Sequence, residues 1–125
     1  EKVTLSEFEE AVRILKKVGF TPKELGAYLL YGLPDEDFNR IERALRFLEG
    51  LEVSPYLSEF SPIPGTPLFA EAEKNSRYPL SEDPLFTNKS VFPALKNPDW
   101  ERIHEVKNLA KAIRKALIEK ASTSL

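Results

Sequence analysis

Two extended apolar runs stand either side of a single helix-length segment, and this spacing constrains the fold more than any other feature of the chain. The first run is Leu25-Gly26-Ala27-Tyr28-Leu29-Leu30-Tyr31. It is almost continuously apolar and shows no alternation, as expected of a strand covered on both faces in a parallel sheet. Gly32-Leu33-Pro34-Asp35 ends it. The period then changes to 3.6, with Phe38, Ile41, Leu45 and Leu48 on one face, Ala44 beside them and charged residues opposite. This helix is expected to start at Asp35 or Glu36 and to close at Gly50. A second extended run covers about Val53 to Phe60. Pro55 is awkward in a central strand, so the strand is expected to begin after it. Strand, helix and strand make a βαβ unit, whose crossover is right-handed in roughly 98% of cases, so the two strands should lie parallel.

Helices flank this unit. Thr4-Leu5-Ser6-Glu7 reads as a capping box. Leu5, Phe8, Val12 and Leu15 recur behind it and Gly19 stops the run, which predicts a helix over 5–18. Thr21-Pro22-Lys23-Glu24 can form one further turn. Asn97-Pro98-Asp99 opens a last helix, with proline at its first position and an acidic first turn. Trp100, Ile103, Val106, Ala110, Ile113 and Leu117 line one face of it to about Lys120. Its Arg and Lys residues read most simply as a solvated face. The chain divides into 1–74, which holds the βα units, an irregular wrap over 75–97 and the helical segment 98–125. Within the wrap, Phe86, Val91 and Phe92 predict packing onto the body.

A length of 125 residues suits one domain. Hydrophobic residues are 42% and charged residues 30%, a globular balance. The net charge of −2 gives no reason to expect a nucleic-acid or anionic-membrane partner. No apolar run approaches the ~18 residues of a membrane span, and the start lacks a signal-peptide pattern, so a cytoplasmic location is expected. There is no cysteine, hence no disulfide, thiolate metal site or cysteine-ligated cluster in this chain. His104 is the single histidine; with no acidic or nucleophilic partner in a motif, it reads as a helix-surface residue. Asn88-Lys89-Ser90 matches a glycosylation sequon, but nothing suggests secretion. No methionine occurs, even at position 1, which raises the expectation of a processed or cloned piece of something longer.

In parallel α/β folds, ligands bind where loops leave the carboxyl ends of the strands. Here those loops are Tyr31-Gly32-Leu33-Pro34 and Phe60-Ser61-Pro62-Ile63-Pro64-Gly65-Thr66-Pro67. The second is rich in proline, and Thr66 followed by Pro67 reads as the start of a helix. Asp35, Glu36 and Asp37 follow the first loop and complement the positive end of the next helix, which disfavours phosphate there. No GxxxxGK[ST] or GxGxxG pattern occurs. The loops offer backbone groups and flat apolar surface. Tyr28 and Tyr31 read as core or interface packing residues with satisfied hydroxyls.

Taken together, "YLLYGLP" (28–34), "FSPIPGTPLF" (60–69) and "EDPLFTNKSVFP" (82–93) resemble the carboxy-terminal half of the radical S-adenosylmethionine core, with the nearest likeness to B12-binding-type or elongator-like iron–sulfur oxidoreductases. The likeness covers about residues 10–95. It implies an α/β fold made of βαβ units from a partial (βα)6 TIM-like barrel, with an extra C-terminal helix. It also implies a parent enzyme that cleaves S-adenosylmethionine reductively at a [4Fe-4S] cluster held by an upstream CxxxCxxC motif. This cysteine-free chain would then be inactive alone. By position, the resemblance implies cofactor contacts from Tyr31, Gly32, Leu33, Pro34, Phe60, Ser61 and Pro62, with Gly65 and Thr66 towards the substrate. Relatives often read GLPGE where this chain has Gly32-Leu33-Pro34-Asp35-Glu36, so Asp35 departs from the pattern. The implied partner is the remainder of the parent chain, and a homodimer through an exposed strand edge is a further expectation. The other reading is a freestanding α/β interaction module without catalytic activity.

Overall fold

The computed structural model describes residues 4–34, 36–61, 63–77, 80–81, 92–95 and 97–123. The expectations for Asp35, Pro62, Phe86, Val91 and the Asn88 sequon fall outside the described residues. The elements are α1 (Leu5–Val18), β1 (Gly26–Tyr31), α2 (Phe38–Leu51), β2 (Ser54–Glu59), α3 (Pro67–Asn75) and α4 (Trp100–Thr123). The fold is mixed α/β around a two-stranded parallel sheet, in which Gly26 pairs with Ser54 and Tyr31 with Glu59.

α1 forms as the sequence dictates. The Thr4 side chain accepts from the Glu7 amide, the Glu7 carboxylate accepts from the Thr4 amide at 2.9 Å, and Gly19 closes the helix at φ 115. Residues 21–25 repeat the device in a single turn: Thr21 N donates to Glu24 Oε1 at 2.7 Å, and Leu25 N donates to Thr21 O at 2.8 Å.

α2 departs from its expected ends. Its N-cap is Asp37, whose carboxylate accepts from the Asn39 amide at 3.0 Å. Its end is not Gly50. The helix continues to Leu51, and Glu52 takes the left-handed cap at φ 58. α4 likewise starts later than expected. Asp99 caps it by accepting from the Arg102 amide at 3.0 Å, and the helix begins at Trp100.

Pro55 lies inside β2 after all. Ser54 N donates to Leu25 O, and Phe60 N to Tyr31 O. A strand alternates the direction of its backbone groups, so the even residues of β2 point towards β1 and Pro55 points outward. Its missing N–H therefore costs the ladder nothing. Its outward carbonyl accepts from Arg114 Nη1 on α4 at 2.7 Å.

The core lies on one face of the sheet. Tyr31, with Leu29 and Leu57 beside it, packs with Ile41 and Leu45 of α2 and with Ile103, Val106, Ala110, Ile113 and Leu117 of α4. Val12 of α1 joins Leu48 and Val53 in a second cluster. Phe60, Phe69, Ala72, Leu80 and Ala94 form a third beneath α3. The opposite face is bare on β1, where Tyr28 is 77% exposed and Leu30 46%, whereas Tyr56 and Ser58 of β2 are half-buried. The unalternating apolar run of β1 asks for cover on both faces, and the described residues supply one.

Candidate binding rim at the carboxyl ends of the strands

The two rim loops start side by side, joined by the Phe60 amide to the Tyr31 carbonyl at 2.8 Å. The residues singled out from the sequence then separate into three groups. Tyr31, Gly32 and Phe60 are buried, with Tyr31 fully so. Leu33, Pro34 and Thr66 are half-buried, and Ser61 and Gly65 are exposed. Pro62 is outside the described residues.

Gly32 sits at φ 85, where a side chain is strained, and a Cβ on it would approach Phe92 Cδ1 to 2.9 Å. Phe92 is the cover of this loop. It lies edge-on to Tyr31, with ring centroids 5.3 Å apart, and to Trp100 at 5.7 Å. Phe92 itself adopts φ 51, an uncommon conformation for a residue with a side chain. The sequence marks it as a packing residue but gives no sign that it packs on a loop sixty positions earlier.

Glu36 is the second residue whose role the sequence hides. Its side chain is 1% exposed. One oxygen accepts from the amides of Gly32 (3.0 Å) and Leu33 (3.3 Å). The other accepts from the Asp37 amide (3.1 Å) and pairs with Arg40 (3.0 Å). Glu36 thus stands beside the N-terminal end of α2, as expected, and also folds back over the loop, a role the sequence does not show. The loop's two amide donors are already satisfied by the chain's own carboxylate.

In the second loop, Gly65 turns the chain at φ 89. Thr66 then caps α3, accepting from the Phe69 amide at 3.1 Å, with Pro67 at the first helical position. The Thr66 hydroxyl also donates to the Ile63 carbonyl at 2.7 Å. Gly65, the Thr66 cap and Pro67 set the start of α3 locally, as the sequence predicts.

At the strand ends, the Tyr31 hydroxyl donates to Glu59 Oε2 at 3.1 Å. Burial, reinforced by the neighbouring carboxylate, pushes the phenol well above its ordinary value. Tyr31 is thus a packing residue with a satisfied hydroxyl, as expected, whereas Tyr28 is not enclosed. On the face opposite the core the Tyr28 and Tyr56 rings stack at 5.2 Å. Tyr56 comes close to Gly26, where a Cβ would lie 2.8 Å from its ring. His104 is exposed on α4.

Among the described residues the acids at this rim are engaged, Glu36 by loop amides and Arg40, and Glu59 by the Tyr31 hydroxyl. Among the described residues no group of three or more His, Cys, Asp or Glu side chains is placed to hold a metal ion. With no cysteine, the chain offers no thiolate to an iron–sulfur cluster. Comparisons with protein-family models, curated proteins and solved structures found no match.

Proposed function

We propose that this chain forms the last two βα units of a larger parallel α/β enzyme of the radical S-adenosylmethionine type, contributing part of the cofactor and substrate wall and no catalytic residue of its own. The observation that supports this reading is the inequality of the two sheet edges. The outer edge of β2 carries Pro55, which has no N–H to donate, and its carbonyl is taken by Arg114. That edge is built to end a sheet. The outer edge of β1 belongs to Gly26, Tyr28 and Leu30, and the face they share is bare. A sheet that continues does so from β1.

In a partial barrel, the helices cover the outer face and the other face looks inward. α2 and α4 lie on one face here, which leaves the Tyr28–Tyr56 face as the inner one. Leu33, Pro34 and Ser61 would meet the adenosyl part of the cofactor, while the buried Tyr31, Gly32 and Phe60 set the backbone beneath them. The iron–sulfur cluster would supply the reductive chemistry from cysteines elsewhere in the parent protein. Reading the coding sequence upstream of Glu1 tests the proposal. It predicts a CxxxCxxC motif in the same open reading frame, and a frame without one overturns it. The freestanding-module reading predicts instead a start codon directly before Glu1. The 125-residue chain alone should show no saturable binding of S-adenosylmethionine.

A further inference from the structure

We infer that the cleft between the outer edge of β2 and α4 is a binding site for a compact phosphate group carried by a small molecule. The cleft encloses about 140 Å³ and is lined by Lys107, Lys111 and Arg114 of α4, with Leu57, Glu59 and Tyr31 opposite. Residues 107, 111 and 114 are spaced to share one helix face. Three cations against the single Glu59 carboxylate leave the lining with a formal charge of +3 − 1 = +2, in a chain whose net charge is −2.

The cations are not equivalent. Arg114 is committed, with its guanidinium 4.6 Å over the Tyr56 ring and bonded to the Pro55 carbonyl. Lys107 and Lys111 carry the remaining charge. Their helical neighbours at three and four residues are Ile103, His104, Asn108, Ala110, Arg114 and Lys115, and none is a carboxylate. No acid interrupts α4 between Glu105 and Glu119. Among the described residues neither lysine forms an ion pair, whereas Arg102 and Lys120 at the two ends of α4 do.

Like charges four residues apart destabilise a helix, so a solvated face would gain by interspersing acids, as the ends of α4 do. Two ammonium groups beside a cavity are relieved by one dianion. A phosphomonoester carries close to two negative charges at neutral pH and binds lysine well as a point charge. The small volume suits a single such group and not a polymer. Tyr56, whose ring stacks on Tyr28, also lines the cleft, and the site does not depend on the barrel reading.

The test is an amide chemical-shift titration of the 125-residue chain with inorganic phosphate and with phenyl phosphate, at ionic strength held constant with sodium chloride. The expected result is saturable shifts at Leu57, Glu59, Lys107 and Lys111. The double variant Lys107→Ala, Lys111→Ala should weaken binding at least tenfold, while Lys115→Ala, outside the cleft, should change it less than twofold. Glu59→Gln removes the one repelling charge and should tighten it. Vesicles containing phosphatidic acid distinguish a lipid phosphomonoester from a free one: competition with phenyl phosphate for the same amides identifies the lipid source. Shifts that rise linearly without saturating, or saturable binding that survives the double variant, overturn the proposal.

Discussion

Glu36 is the side chain that fixes the first rim loop, because one buried carboxylate answers three backbone amides and Arg40. Glu36→Ala leaves the Gly32 and Leu33 amides without their acceptor. The expected loss is about 1–3 kcal/mol, read by urea denaturation, and a loss below the error of the titration would contradict the role. Gly32→Ala places a methyl group against Phe92 in a left-handed conformation and should cost about 1–3 kcal/mol.

The titrating carboxylates predict an acid limit on stability. Hydrogen bonds from Thr4 hold Glu7 below its ordinary value of 4.5, and those from Thr21 do the same for Glu24. Arg102 lowers Glu42, and Lys120 followed by Lys16 lowers Glu52. Below 4.5 the unfolded chain takes up protons that the folded chain refuses. Stability present above that pH is therefore lost as pH falls through the lower folded values. Tyr31 gives the opposite limit. Its phenol is raised, so the unfolded chain ionises first above its ordinary value of 10.0, and stability should fall as pH rises past that point. Thermal melts across pH check both directions.

The elements with a clear 3.6 period and local caps were legible in the sequence, because the information lies within one helix turn. α1 is bounded by its own Thr4, Glu7 and Gly19, and α3 by Gly65, Thr66 and Pro67. The ends of α2 were not. Glu36 was drawn away by loop amides, and Glu52 took the left-handed cap while bonding Lys16 of α1 and Lys120 of α4. Pro55 could be placed in a strand only once the ladder showed which way its missing N–H points. The position of the rim was readable from the order of elements, but the Phe92 cover and the Glu36 clamp depend on tertiary contacts. α4 is the element that holds the layers together, contacting both α2 and β2 through Ile103 and its successors. Ile103→Ala should cost about 2–5 kcal/mol and lower the whole unfolding transition. Loss of α4 signal alone, with α2 and the sheet retained, would contradict that role. Glu52→Ala removes a part-buried pair with Lys16 and an exposed pair with Lys120 and should cost about 1 kcal/mol or less.

At the scale of the molecule, the two edges of the sheet differ. Arg114 and Pro55 close β2, while Tyr28 and Leu30 stand open on β1. No helix among the described residues is long and apolar enough to cross a membrane. An apolar face of this kind promotes association. Sedimentation velocity should show concentration-dependent self-association that Tyr28→Lys and Leu30→Lys suppress without loss of fold; association unchanged in both variants would place the contact elsewhere. If the sheet of the parent protein continues from β1, as proposed, residue-resolved amide exchange on the dilute monomer will show an uncovered edge there. The amides of Tyr28 and Leu30 point outward and should exchange rapidly, while those of Ala27 and Leu29, which face β2, should be protected. Equal protection of both sets would mean that the β1 edge is already covered, and would contradict the account.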